Sequence, residues 1–170
     1  IDLTAYKRGV SIYGEDPNLE RLSDEEKSHV LEVGIDVAKV DRTGSFFLKS
    51  HSPIQCTVGQ DGVELLPIAE ALKKYDGLEK YWWQAVDVGS DKYTAQAEIA
   101  LHSGYFLRVK AGTQACFPIQ ACLYLSEEGI SQNLHNIVIA EEGAEVHIIT
   151  GCTTAPHLKK GLHIGVTEVY

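Results

Sequence analysis

Thiols and imidazoles are the side chains of this sequence best suited to chemistry, and they gather late in its 170 residues. His135, His147, Cys152, His157 and His163 all follow residue 130. Histidine and cysteine are the usual ligands of zinc and iron, so a metal site is the first reading. Their spacing matches no compact zinc motif. Alternation along a strand would place His135 on one face with Ile137 and Ile139, and His163 opposite Leu162. Surface or edge histidines are the simpler account, and no permanently bound metal is expected.

Cys152 stands in Gly151-Cys152-Thr153-Thr154-Ala155-Pro156. Glycine before it and proline after it mark a turn at a strand end, where a thiol is reachable. Such a thiol accepts sulfur or binds iron if its pKa is lowered. His147 and His157 are the neighbours in sequence that would lower it. The plainer reading is a small buried hydrophobe, and the residues by themselves favour it. Cys56, Cys116 and Cys122 lie in apolar, strand-like runs and read as packing residues. No CxxC pair occurs, so free thiols fit better than a disulfide framework. Tyr81-Trp82-Trp83 suggests a stacking platform, although aromatic side chains at helical spacing more often cover a core. Phosphate-binding glycine loops and the nucleophile elbow are absent, so neither nucleotide binding nor serine catalysis is supported.

These side chains must be held by strands. Between Leu101 and Cys152 short apolar runs recur: Tyr105–Val109, Ala115–Leu125, Asn136–Ala140 and Ala144–Ile149. Each is closed by Gly, Pro, Ser or Glu-Glu-Gly, and none is joined to the next by a run of helical length. A further strand is predicted over Leu162–Tyr170. In Ala144–Thr150, alternation puts Val146 and Ile148 on one face and Glu145, His147 and Ile149 on the other. The two Glu-Glu-Gly turns echo each other, which suggests a parallel β-helix or a jelly roll, with the β-helix modestly ahead.

The first hundred residues read as mixed and mostly helical. Ser23 and Glu26 have capping-box spacing, predicting a short acidic helix over 23–33. Gly44–Lys49 and Ile54–Val58 form a hairpin, and Asp61-Gly62 a turn. Pro67 opens an amphipathic helix with Ile68, Leu72 and Tyr75 on one face. Leu78–Val86 reads as helical, and Asp91 caps a last segment over Lys92–Leu101. A soft boundary near residue 102 divides an N-terminal region, 1–102, from a β region, 103–170.

Composition excludes several classes. Fifteen basic residues against 24 acidic ones give a formal charge of −9, unlike a nucleic-acid surface. No apolar run reaches the roughly 20 residues of a membrane helix. No secretory signal opens the sequence, and a cytoplasmic protein is expected. The sequence starts at Ile1 and contains no methionine, so a fragment with residues missing at both ends is expected.

The run SGYFLRVKAGTQACFPIQACLYLSEEGISQNLHNIVIAEEGAEVHIITGCTTAPHLKKGLHIGVTEVY resembles the core of the SufB/SufD family of iron–sulfur cluster assembly proteins, most of all its archaeal-type members. DGVELLPIAEALKKYDGLEKYWWQAVDVGSDKYTAQ is similar to the segment that leads into that core, and GSFFLKSHSPIQC to the family's earlier hairpin. The resemblance covers roughly residues 42–170 in order. It implies a right-handed parallel β-helix, here partial and mainly β, preceded by the mixed helical region. It implies a scaffold rather than an enzyme, working with a SufC-type ABC ATPase and pairing through the β-helix with a SufB- or SufD-like paralogue or with itself. The iron–sulfur cluster would be carried transiently. The resemblance also makes Cys152 the candidate sulfur acceptor, because a cysteine in a Glu-Gly-Cys-Thr-Ala-Pro run has that role in SufB-type members. Here Thr150 replaces the Glu and one Thr is added. The family's other cluster-binding groups and its ATPase-docking helices belong to later sequence. The residues leave two rivals: a cupin-like metal-dependent enzyme using the histidine cluster, and a purely structural β-solenoid that only mediates dimerisation.

Overall fold

A computed structural model describes residues 1–37 and 41–170. Among the described residues eight strands and three helices alternate irregularly. The strands are β1 (Gly44–Lys49), β2 (Ser52–Val58), β3 (Val63–Pro67), β4 (Tyr105–Val109), β5 (Ile119–Leu125), β6 (Ser131–Ala140), β7 (Ile148–Thr154) and β8 (Leu162–Val169). The helices are α1 (Asp24–Glu32), α2 (Ile68–Lys74) and α3 (Lys92–Ile99). Two four-stranded sheets result, ordered β2-β1-β5-β7 and β3-β4-β6-β8.

The expected right-handed parallel β-helix behind a mostly helical region is not what the structure shows. The fold is mixed α/β with two mixed sheets. Each sheet opens with an antiparallel pair, β1 with β2 and β3 with β4, and continues in parallel through β5 and β7 or through β6 and β8. Strand-length apolar runs announce strands but carry no information about direction or partner. The N-terminal half is also less helical than its apolar spacing suggests. β3 was not anticipated, and β1 pairs directly with β5, and β3 with β4, so both sheets draw strands from either side of residue 102.

Local signals explain the helices that do form. Glu26 N–H donates to Ser23 Oγ (3.1 Å) while Ser23 N–H donates to Glu26 Oε2 (2.9 Å), completing the capping box of α1. Asp91 Oδ1 accepts from the N–H groups of Tyr93 and Thr94 at the start of α3. Leu78–Val86 does not form the helix predicted for it. A single 3-10 turn, Leu78–Tyr81, gives way to extended Trp82 and to Trp83 at φ +55°. The backbone N–H groups beyond it bond to the side chain of Glu168 instead of to helical carbonyls.

The space between the sheets holds the main core, with Phe46, Leu48, Leu65, Tyr105, Leu107, Leu123, Leu134 and Val138 among its members. The outer face of the β1-containing sheet is covered by Leu19, Leu22, Val30 and Ile35. The outer face of the other sheet lies under α2 and the 3-10 turn at one end and under α3 at the other. The strand predicted over Ala144–Ile149 begins later, at Ile148, although Val146 and Ile148 do share the core-facing side.

Candidate functional site

Cys152 is placed by β7. Ile148 packs into the inter-sheet core, and alternation puts Thr150, Cys152 and Thr154 on that same inward row. Gly151 faces the other way. A Cβ there would sit 2.7 Å from Ile35 Cγ1 and 3.0 Å from Val33 Cγ2, so glycine lets the chain around Ile35 close over the strand. β7 pairs with β5 on one side only, and among the described residues its other edge is unpaired. Cys152 is exposed at that edge, yet the packing around its sulfur pushes the thiol pKa above its ordinary value. The direction is opposite to that of an activated thiolate.

His147 and His157 do not supply the activation. Both are exposed. His147 lies opposite the row of Val146 and Ile148, so its ring points away from the side that Cys152 shares, and its carbonyl accepts from Ile119 N–H (2.8 Å). His157 lies in the turn after β7. No hydrogen bond joins either ring to Cys152 among the described residues.

A different histidine occupies the facing sheet. Leu162, Ile164 and Val166 of β8 pack under α3, which turns His163, Gly165 and Thr167 inward. His163 pairs in register with Gln132, and its Nδ1 lies 2.8 Å from Gln132 Oε1. Gln132 Nε2 donates to the Ser50 carbonyl (2.5 Å), so its oxygen is left to accept and His163 Nδ1 must donate. The Nε2 lone pair is then free. Burial holds the pKa of this imidazole below its usual value, so the ring is neutral.

On the outer face of the β8-containing sheet sits a buried pair. His135 Nε2 lies 2.7 Å from Glu168 Oε2, and both side chains are fully enclosed. Glu168 also accepts from the backbone N–H groups of Trp83 (2.8 Å), Ala85 (2.7 Å) and Val86 (3.1 Å), and from the Tyr170 hydroxyl (3.1 Å). Burial opposes its ionisation, but these donors outweigh it and hold the carboxyl below the usual range. Burial likewise pulls the His135 pKa down against the attraction of Glu168. Its Nδ1 is buried without a protein partner, so a second ring proton would find no acceptor. Trp82 and Trp83 close over the imidazole with ring centroids at 4.0 and 4.3 Å, and both indole N–H groups donate to Glu98. The tryptophans therefore cover a polar core. His135 does share its face with Ile137 and Ile139.

The remaining thiols divide. Cys122 is fully buried, and Cys56 is half-buried with its pKa pushed up to about 12 by burial. Cys116, expected to be a packing residue, is instead exposed, because β5 starts only at Ile119. Among the described residues no three His, Cys, Asp or Glu side chains converge to hold a metal ion. No helix among the described residues is long and apolar enough to cross a membrane.

The sequence reading missed Glu168, Gln132 and Gly165. Two of them left a trace. Glu168 continues the buried outer-face row Leu162, Ile164, Val166, where an acid must find partners. Gly165 interrupts a strand, a mark of close approach.

No protein-family model matches the chain. Curated relatives do. An iron–sulfur cluster assembly SufBD family protein of Methanothermobacter thermautotrophicus is 39% identical over 182 aligned positions, 94% of this chain and 44% of the relative. One from Archaeoglobus fulgidus is 37% identical over 85% of this chain and 39% of its own length. A SufBD family protein of Arabidopsis thaliana is 29% identical over 80% of this chain. The chain spans somewhat under half the length of the archaeal relatives it matches. Similarity at 37–39% identity through most of its own residues, in archaeal proteins of one designation, places the chain by sequence in the SufBD family of iron–sulfur cluster assembly proteins.

Proposed function

We propose that this chain is part of a cytoplasmic scaffold on which iron–sulfur clusters are built, and that it is not an enzyme by itself. A SufC-type ABC ATPase supplies the ATP chemistry, and the scaffold pairs with a SufB- or SufD-like paralogue or with a second copy. The cluster is cargo, held transiently. Cys152 is the sulfur acceptor. The observation that carries this reading is the placement of Cys152: among the described residues it is the one exposed thiol on the rows that face between the sheets, at an edge of β7 that no described strand pairs with. The names of the relatives support the pathway.

The cupin-like alternative needs three histidines around one point. His135 is enclosed on the outer side of its sheet, His163 faces inward, and His147 and His157 are exposed around the opposite sheet. The geometry therefore favours the scaffold.

The test is sulfur loading. The full-length protein and its Cys152→Ser variant are incubated with a persulfide donor and the added sulfur is located by peptide mass spectrometry. Sulfur on Cys152, lost in the variant while its circular dichroism is unchanged, is the expected result. Equal loading of the variant would move the acceptor role elsewhere. Recovery of an ABC ATPase on affinity purification of the full-length protein tests the partnership separately, and separates the scaffold from a module that serves dimerisation alone.

A further inference from the structure

The edge of β6 that faces β4 is completed by side chains over part of its length. In a parallel pair, alternate residues of a strand turn their N–H and C=O groups toward one neighbour. At the start of β6 these groups go to Lys7, whose N–H donates to the Gly129 carbonyl (2.8 Å) and whose carbonyl accepts from Ser131 N–H (3.0 Å). Further along they go to Ser103, whose N–H reaches the Asn133 carbonyl (3.4 Å) and whose carbonyl accepts from His135 N–H (3.2 Å), and then to β4. Between these stretches lie the Ser131 carbonyl and the Asn133 N–H, the two groups that one further strand residue would take. Two imidazoles take them instead. His51 Nε2 lies 2.6 Å from the Ser131 carbonyl, and Asn133 N–H donates to His102 Nδ1 (3.1 Å). The two rings stack, with centroids 3.6 Å apart and planes 18° from parallel.

These bonds fix the proton of each ring. A carbonyl only accepts, so His51 carries its proton on Nε2 and keeps a lone pair on Nδ1. A backbone N–H only donates, so His102 Nδ1 is bare and the proton of that ring is on Nε2. The rings therefore answer acid differently. A proton added to His51 enters at Nδ1 and leaves the bond to Ser131 intact. A proton added to His102 enters at Nδ1, where it meets the Asn133 N–H donor to donor. Burial first, then His51 and the Arg8 guanidinium, pull the pKa of His102 down to about 4. Burial also lowers that of His51, against its bond to the Ser131 carbonyl and the charge of Glu127. Arg8, in the N-terminal segment, and Glu127, between β5 and β6, are the charged groups that bear on the pair among the described residues.

We infer that His51 and His102 form an acid-sensitive latch on the edge of β6, which holds one added proton and opens on the second. Closed, it ties the turn after β1 and the chain before β4 to one strand. The first proton sits on His51 and leaves the latch closed. The second breaks the bond between His102 and Asn133 and sets two positive rings face to face. Asn133 also holds this chain through its carbonyl, which accepts from His102 N–H (2.9 Å), and through Nδ2, which donates to the Ala100 carbonyl (3.0 Å). Opening therefore loosens residues 100–103 where they meet β6. A base whose folded pKa is depressed stabilises fully above its unfolded value, about 6.5, and that contribution is lost as pH falls toward the folded one. The latch is shut at neutral pH and opens as pH falls toward about 4.

Imidazole tautomers and amide exchange, read by NMR on the full-length protein, test this. At neutral pH both rings are expected to carry their proton on Nε2. The Asn133 amide, corrected for its intrinsic exchange rate, is expected to lose about tenfold or more of its protection in acid. The Ile119 amide, bonded to the His147 carbonyl on the other sheet, should keep its protection and serves as reference for global unfolding. His102→Asn places an oxygen where Nδ1 stood and removes the titration, so the Asn133 amide should stay protected in acid. His51→Gln places an NH2 where Nε2 stood. It should retain the step but move it to higher pH, because the charge that opposes the second proton is gone. Rings that served packing alone would give no step in wild type. A proton on His102 Nδ1 at neutral pH, or an Asn133 amide that follows Ile119 at every pH, overturns the inference. So does a His102→Asn variant that loses protection as wild type does. The wild-type readings decide the matter even where a variant folds poorly.

Discussion

Glu168→Gln is the most demanding perturbation of this structure. The carboxylate of Glu168 is enclosed and accepts from five donors: His135 Nε2, the Tyr170 hydroxyl and three backbone N–H groups. A hydrogen bond to a charged acceptor contributes about 1.5–3 kcal/mol. Five such terms do not add, because the segment around Trp83 would detach and meet water once its anchor weakens. Removing one partner of a buried pair costs about 3–5 kcal/mol, and that sets the scale. Glutamine retains one carbonyl oxygen but turns an NH2 toward groups that are themselves donors, so about 3 kcal/mol is the expected loss. Against a total stability of about 5–15 kcal/mol this is a large fraction. The assay is built in. The chain has two tryptophans, and both rest on His135. In urea, the variant's tryptophan emission should shift red before its far-ultraviolet circular dichroism changes, because the Trp83 segment leaves first. The midpoint of the main transition should also fall. Coincident transitions with a midpoint within 0.5 kcal/mol of wild type, taking about that value as the noise of surface substitutions, would refute the anchoring role of Glu168.

Two further outcomes are expected. Acid should weaken the fold early: burial lowers the pKa of His51, His135 and His163, and that of His102 to about 4. A base whose folded pKa is depressed stabilises fully above its unfolded value, about 6.5, and that contribution is lost as pH falls toward the folded pKa. Glu168 adds the same sign lower down, since its depressed folded pKa gives stability above the unfolded value of about 4.3 that is lost as pH falls through the folded one. The urea midpoint should therefore be flat above neutrality and drop between about pH 6.5 and 4, and a flat or rising midpoint there would contradict the buried neutral histidines. Gly151→Ala places a methyl 2.7 Å from Ile35 Cγ1 and should cost about 1–3 kcal/mol by overpacking, measured by the same unfolding curve. A variant as stable as wild type would show that the chain around Ile35 is not held against β7.

Much of the local structure was legible because its causes are local. The Ser23–Glu26 capping box, the Asp91 cap and the strands Gly44–Lys49 and Tyr105–Val109 fall where residue types and alternation place them. Pairing was not legible. Nothing within Val63–Pro67 shows that it returns antiparallel to Tyr105–Val109, or that Gly44–Lys49 lies parallel to Ile119–Leu125, because these contacts join residues far apart in sequence. The Trp83 segment failed for a related reason. Its aromatic spacing is helical, but a carboxylate 85 residues away takes the backbone N–H groups that a helix would have used.

The same distinction governs the site. Cys152 could be picked out from its turn, but proximity in sequence pointed to His147 and His157 as its helpers, and a strand defeats that logic. Five positions along a strand is an odd step, so His147 and Cys152 emerge on opposite faces. His163 is eleven residues away and separated by a turn, yet register carries it to the same inward side through Gln132. What decides which imidazole shares the inward side with Cys152 is thus the pairing of β5 with β7 and of β6 with β8. A one-residue slip in either ladder would send His163 or Cys152 to the outer face, with every local sequence signal unchanged.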